Sequence, residues 1–166
     1  VKDSNELSKP LPRTYGIDDF PLIVQLKPMD ANKQFQPMSP ENMVMVNGTV
    51  APTLNVPAQV IRFRVLNGSN MRSINIGFGN NMSFMQIASD EALLNNGVTL
   101  TRLALSPGER AEILINAGPY QGQNLVLRSF NTGLPQGVIG GPAMGMGGGA
   151  SGPLDNTNFD LLTITV

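Results

Sequence analysis

Apolar residues recur at every second position in short runs, and Gly, Pro, Asn and Asp separate the runs. That period of two is the signature of a strand with one buried face, and strands repeated at short spacing indicate an all-β sandwich. The runs are FPLIVQLK (20–27), MVMVNGTVAPTLNV (43–56), VIRFRVLN (60–67), INIGF (74–78), SFMQIAS (83–89), TLTRLALS (99–106), RAEILINA (110–117), NLVLRSF (124–130) and FDLLTITV (159–166). Pro21 places the first at a sheet edge, because proline cannot donate to a ladder. In VIRFRVLN, Ile61, Phe63 and Val65 share the inward face, which leaves Arg62 and Arg64 facing outward. Asn67-Gly68 is expected to supply the positive φ angles of a reversal into INIGF, where Ile74, Ile76 and Phe78 point inward. TLTRLALS reads as one strand, separated from SFMQIAS by DEALLNNG.

No stretch sustains a helical period, so the class that follows is an all-β sandwich of Greek-key type. Residues 1–16 read as a linker or strapped-on arm, polar and proline-containing, and suggest a piece of a longer protein. Residues 17–166 read as one domain. Within it, the segment at about 133–156, GLPQGVIGGPAMGMGGGASGPLDN, is too glycine-rich to recover its ordering entropy by burial and is expected to be a mobile excursion before the last strand.

Composition sharpens this picture. Glycine (18) and proline (13) together make about 19% of the 166 residues, where average usage gives roughly 12%, as a turn-rich β-protein requires. Charged residues are 14% against roughly 25% in a typical domain, so much of the surface is neutral. Net charge is −1, which provides no basic field for nucleic acid or anionic lipid. No apolar run approaches the roughly 18 residues that span a bilayer, and the first residues are not signal-like.

The chain has no histidine and no cysteine. That removes the commonest general base, the thiol nucleophile, and zinc, blue-copper or haem sites built on those residues. The adjacent acids Asp18-Asp19 and Asp90-Glu91 lack the spacing of a calcium loop and read as turn and strand-end residues. Met144 and Met146, in AMGMG, are thioethers of the kind cuprous copper accepts, and they are the weak metal candidates here. No catalytic or cofactor-binding residue emerges.

In order and spacing, YGIDDFPLIVQ, MVMVNGTVAPTLNVPAQVIRFRVLNGSNMRSINIGF, QIASDEALL and LSPGERAEILI resemble the middle domain of three-domain bacterial multicopper oxidases of the laccase, cuprous oxidase and bilirubin oxidase type. The resemblance runs from about residue 10 to the end. It implies a Greek-key, cupredoxin-like β-sandwich without copper of its own, flanked in the parent protein by cupredoxin domains that hold copper through His-x-His pairs and a His-Cys-His cluster. It also implies a parent that couples substrate oxidation to reduction of dioxygen to water, in the periplasm or secreted. Arg62, Arg64 and Arg72 are the interdomain contact candidates on this reading, and Arg62→Ala or Arg64→Ala is expected to weaken domain assembly more than the domain itself. The family also holds copper-free relatives that act as periplasmic cell-division scaffolds. A free-standing β-sandwich binding module is the remaining alternative.

Overall fold

The computed structural model describes residues 4–37, 39–90, 92–143 and 152–166. A short helix α1 (Ser4–Ser8) precedes twelve strands: β1 (Asp19–Lys27), β2 (Met43–Val46), β3 (Thr49–Val50), β4 (Thr53–Asn55), β5 (Val60–Asn67), β6 (Ile74–Phe78), β7 (Phe84–Ala88), β8 (Leu93–Leu100), β9 (Leu103–Leu105), β10 (Arg110–Asn116), β11 (Asn124–Phe130) and β12 (Asn158–Thr165). They form a seven-stranded sheet, β3-β2-β1-β5-β10-β7-β8, facing a five-stranded sheet, β4-β12-β11-β6-β9. Two pairs are parallel, β1 with β5 and β4 with β12, and the rest are antiparallel. This is the Greek-key sandwich that the period of two predicts.

The core lies between the sheets. Ile61, Phe63, Ile74, Ile76, Phe78, Ile113, Leu127 and Ile164 are fully buried, and each such side chain contributes about 1.5–3 kcal/mol by leaving water. Inward positions therefore fall where alternation places them. The Asn47-Gly48 reversal also behaves as its residues require: both have positive φ, 50° and 77°, and Val46 faces Thr49 across a two-residue turn.

Three departures have physical causes. Asn67-Gly68 is no hairpin: neither residue has positive φ, and β5 and β6 belong to different sheets. Asn67 is instead buried, its amide donating to the carbonyls of Arg72 and Leu105 at 2.9 Å each. Gly68 is small because β1 passes close by, so that an added Cβ would meet Ile23 Cγ2 at 3.1 Å and the Val24 carbonyl at 3.2 Å. Second, TLTRLALS divides at Thr101-Arg102 between β8 and β9, which lie in different sheets, and β8 begins at Leu93 inside the expected connection.

Third, β1 is interior, between β2 and β5. Proline is tolerated because β2 pairs only with its second half, from Val24 onward. Beside the first half the Asn47 side chain replaces a strand, its amide donating to the Pro21 carbonyl at 2.9 Å and its oxygen accepting from Ile23 N at 2.8 Å. The missing N–H of Pro21 thus sits where no ladder partner waits for it.

The long segments between strands are anchored where they are described. After β1, the Asp30 carboxylate accepts from Asn32 N and Gln34 N at 2.8 Å each and shapes the turn. The stretch expected to be mobile is held at its base: Ser73 N donates to the Ile139 carbonyl, Asn156 N to that of Gly140, and Leu134 and Leu154 are buried. Met144 and Met146 lie outside the described residues.

Candidate functional site

The outward face of the seven-stranded sheet carries the densest arrangement of charge. Strand register sets its outward residues in rows: Asp19, Arg62, Leu114 and Met85 in one, Pro21, Arg64 and Glu112 in the next, and Ile23, Leu66 and Arg110 in a third. Acids on β1 and β10 therefore flank the two arginines of β5, which cross-strand pairing favours.

Arg62 is not on a solvent-facing surface, as alternation suggests, but is 1% exposed. The N-terminal arm lies over it. Its Nη1 donates to Glu6 Oε1 at 2.7 Å and to the Pro12 carbonyl at 3.4 Å, while its Nε donates to Glu112 Oε2 at 3.0 Å. Arg13 closes the arm on itself by donating to the carbonyls of Glu6 and Lys9. A buried guanidinium is tolerable only when its donors are matched by acceptors, and this one is shared by two carboxylates and a carbonyl.

Arg64 keeps 33% of its side chain exposed and grips the buried Asp19 with two parallel bonds, Nε to Oδ1 at 2.8 Å and Nη2 to Oδ2 at 2.5 Å. The hydrogen bonds to Asp19 raise the Arg64 guanidinium above its ordinary pKa, against an opposing effect of burial. Its Nη1 stands 3.9 Å from Glu112 Oε1, so Glu112 links the two arginines. Around this ladder lie apolar side chains: Ile23 and Met85 are exposed, and Leu66 and Leu114 are half-buried.

Arg72 belongs to a different place. It is buried at the base of the long loops, with Nε donating to Glu41 Oε2 at 2.9 Å and Nη1 paired with Asp155. Gly140 and Gly152 pack against it, and an added Cβ would stand 2.7 Å from Arg72 Cγ at the first and 3.2 Å from Nη2 at the second. Arg72 thus ties the β1–β2 loop to both ends of the glycine-rich segment. The three arginines do not form one site.

Among the described residues no group of three His, Cys, Asp or Glu side chains could hold a metal ion. Asp18 and Asp19 diverge: Asp18 accepts from Thr14 N at 2.7 Å, whereas Asp19 serves Arg64. Asp90 accepts from Arg110 N at 2.8 Å. No helix among the described residues is long and apolar enough to cross a membrane.

The ion-pair roles of Glu6, Asp19 and Glu112 are not legible in the sequence, where Asp19 reads as a turn or strand-end acid. Glu112 alone carries a signal, as an acid at the outward position of RAEILIN, able to sit opposite an outward arginine. Nothing local connects Glu6 to a residue 56 positions away.

No family model matches the chain. Curated relatives do: it is 38% identical over 133 residues to the cell division protein FtsP of Haemophilus influenzae, covering 76% of this chain and 28% of that protein. It is equally identical, over 122 residues, to the multicopper oxidase mco of Staphylococcus epidermidis, covering 70% and 27%. Among solved structures, a McoA multicopper oxidase variant of Aquifex aeolicus matches 99% of this chain and 35% of its own at 29% identity and a TM-score of 0.81. A laccase of Pediococcus acidilactici matches 98% and 31%, at 30% identity and a TM-score of 0.77. The chain thus spans under a third of the length of these curated relatives. Two facing sheets of this topology, curated relatives over 70% or more of the chain and solved structures over nearly all of it make it a cupredoxin-like β-sandwich domain of the multicopper-oxidase type.

Proposed function

We propose that this chain is the copper-free middle domain of a multicopper oxidase, serving as spacer and interdomain scaffold. The observation that carries the reading is the outward face of the seven-stranded sheet. There an ion-paired ladder is fixed by a seated arm and bordered by Ile23, Leu66, Leu114 and Met85, a polar-and-apolar mixture suited to a neighbouring domain. The sequence has neither histidine nor cysteine, so copper chemistry falls to flanking cupredoxin domains in an exported parent that oxidises a substrate and reduces dioxygen to water. The contribution of this domain is positional, and misplacing reacting groups by a small distance costs on the order of 100-fold in rate.

Of the three arginines, Arg64 is the one with exposed surface to offer a neighbour. Arg62 and Arg72 serve an interface indirectly, by holding the arm and the long loops.

A second reading has its own support, because the cell-division relative and the oxidase relative are equally identical to this chain. It makes the parent a copper-free scaffold. Copper content and oxygen consumption of the full-length parent separate the two. Bound copper with substrate-dependent oxygen uptake supports the oxidase, and neither supports the scaffold. Copper retained by the 166-residue chain alone overturns both.

A further inference from the structure

The arginines on or beside the sheets pair with carboxylates, with one exception. Arg62, Arg64, Arg72, Arg110 and Arg128 each have an Asp or Glu partner. Arg102, in the turn between β8 and β9, has none among the described residues. Its Nη1 donates to the Thr101 carbonyl at 2.6 Å, which leaves most of its donors unspent.

Its position is nevertheless defined. The guanidinium lies over the Phe130 ring with Cζ 3.5 Å from the centroid. To get there it crosses β6 at Gly77, where an added Cβ would stand 2.7 Å from Nη1 and 2.9 Å from Cδ. The absent side chain of Gly77 is the groove in which Arg102 rests. Arg128 also approaches the ring, at 5.9 Å, but its charge is matched by Asp160 at 2.7 Å. Burial pushes the Arg102 guanidinium below its ordinary pKa, as expected for a cation partly withdrawn from water with no anion beside it.

An arginine whose Cζ lies 3.5 Å from an aromatic centroid, with most of its donors unspent, is the composition of a protein-interface anchor. Its fork matches a carboxylate bidentately, and no carboxylate of the described chain takes it. We propose that the Arg102–Phe130 shelf, on the outward face of the five-stranded sheet, docks an Asp or Glu side chain of a flanking domain of the same parent protein, which rests on the chain being one domain of a longer protein of the multicopper-oxidase type. This shelf is on the opposite sheet from the arm-covered ladder and fails or stands independently of it.

The experiment is zero-length crosslinking of the full-length parent carrying Arg102→Lys. A carbodiimide activates a carboxylate, the lysine amine displaces the activated oxygen, an amide C–N bond forms, and the oxygen leaves with the reagent as a urea. Peptide mapping by mass spectrometry is expected to join position 102 to an Asp or Glu outside these 166 residues. Links confined to this chain, such as one to Asp160, or no link at position 102, overturn the proposal. If Arg102→Lys does not fold, Ala104→Lys at the exposed neighbouring position on β9 leaves the shelf intact and is read in the same way.

Discussion

The carboxylate of Glu6 stands 2.7 Å from Nη1 of Arg62 and joins an arm outside the sandwich to a central strand of its larger sheet. Arg62 is therefore an internal residue of this chain. Arg62→Ala leaves Glu6 and Glu112 without their shared cation, and breaking a buried pair from one side costs about 3–5 kcal/mol. Urea unfolding of the protein is the measurement. A loss below about 1 kcal/mol, the range of a surface pair, would mean that the arm is not seated. The resemblance implies instead that the substitution weakens assembly more than the domain, and comparing the loss in this chain with that in the full-length parent decides between the two.

Gly77, inside β6, and Gly68, just past the end of β5, separate two uses of glycine. Gly77→Ala drives a Cβ to 2.6 Å from the Thr101 carbonyl, where backbone must move, and is expected to cost about 1–3 kcal/mol, as overpacking does. Gly68→Ala meets its neighbours at 3.1–3.2 Å without positive φ and is expected to cost less. Thermal unfolding ranks them, and the opposite order would restore Gly68 to the role of a turn residue.

Asn47→Asp keeps the acceptor that serves Ile23 N but removes the donor that satisfies the Pro21 carbonyl. The expected loss is about 0.5–1.5 kcal/mol, the net worth of one hydrogen bond at an exposed position. Denaturant unfolding at neutral pH tests this, and an unchanged midpoint would show that the amide does not substitute for a strand.

Asp30 sets an acid-side dependence. The hydrogen bond from Gln34 N, helped by those from Asn32 and Gln36 and opposed by desolvation, holds its carboxyl below the ordinary 3.8. A depressed folded-state pKa means that the stabilisation is complete above 3.8 and disappears as pH falls through the lowered value. Asp30→Asn is expected to flatten the acid limb of the stability curve below pH 3.8. Identical limbs in the two proteins would rule this contribution out.

Alternation by itself determined the class of the fold and the core face of its clearest strands, because a buried face on a pleated strand repeats every second residue: Ile61, Phe63 and Val65, and Ile74, Ile76 and Phe78, are all buried. The Asn47-Gly48 turn takes the positive φ its residues tolerate, because β2 and β3 pair directly across it. Asn67-Gly68, with the same letters, became a buried crossover, because sheet membership depends on which strands meet in space. The outward face of a strand is solvent only where nothing covers it, and whether an arm returns across Arg62 is decided by contacts between residues far apart in sequence. The same holds for Arg72 beneath its loops and Arg102 across Gly77: period and propensity act between neighbours, whereas the pairing of buried charge is settled only by the assembled sheets.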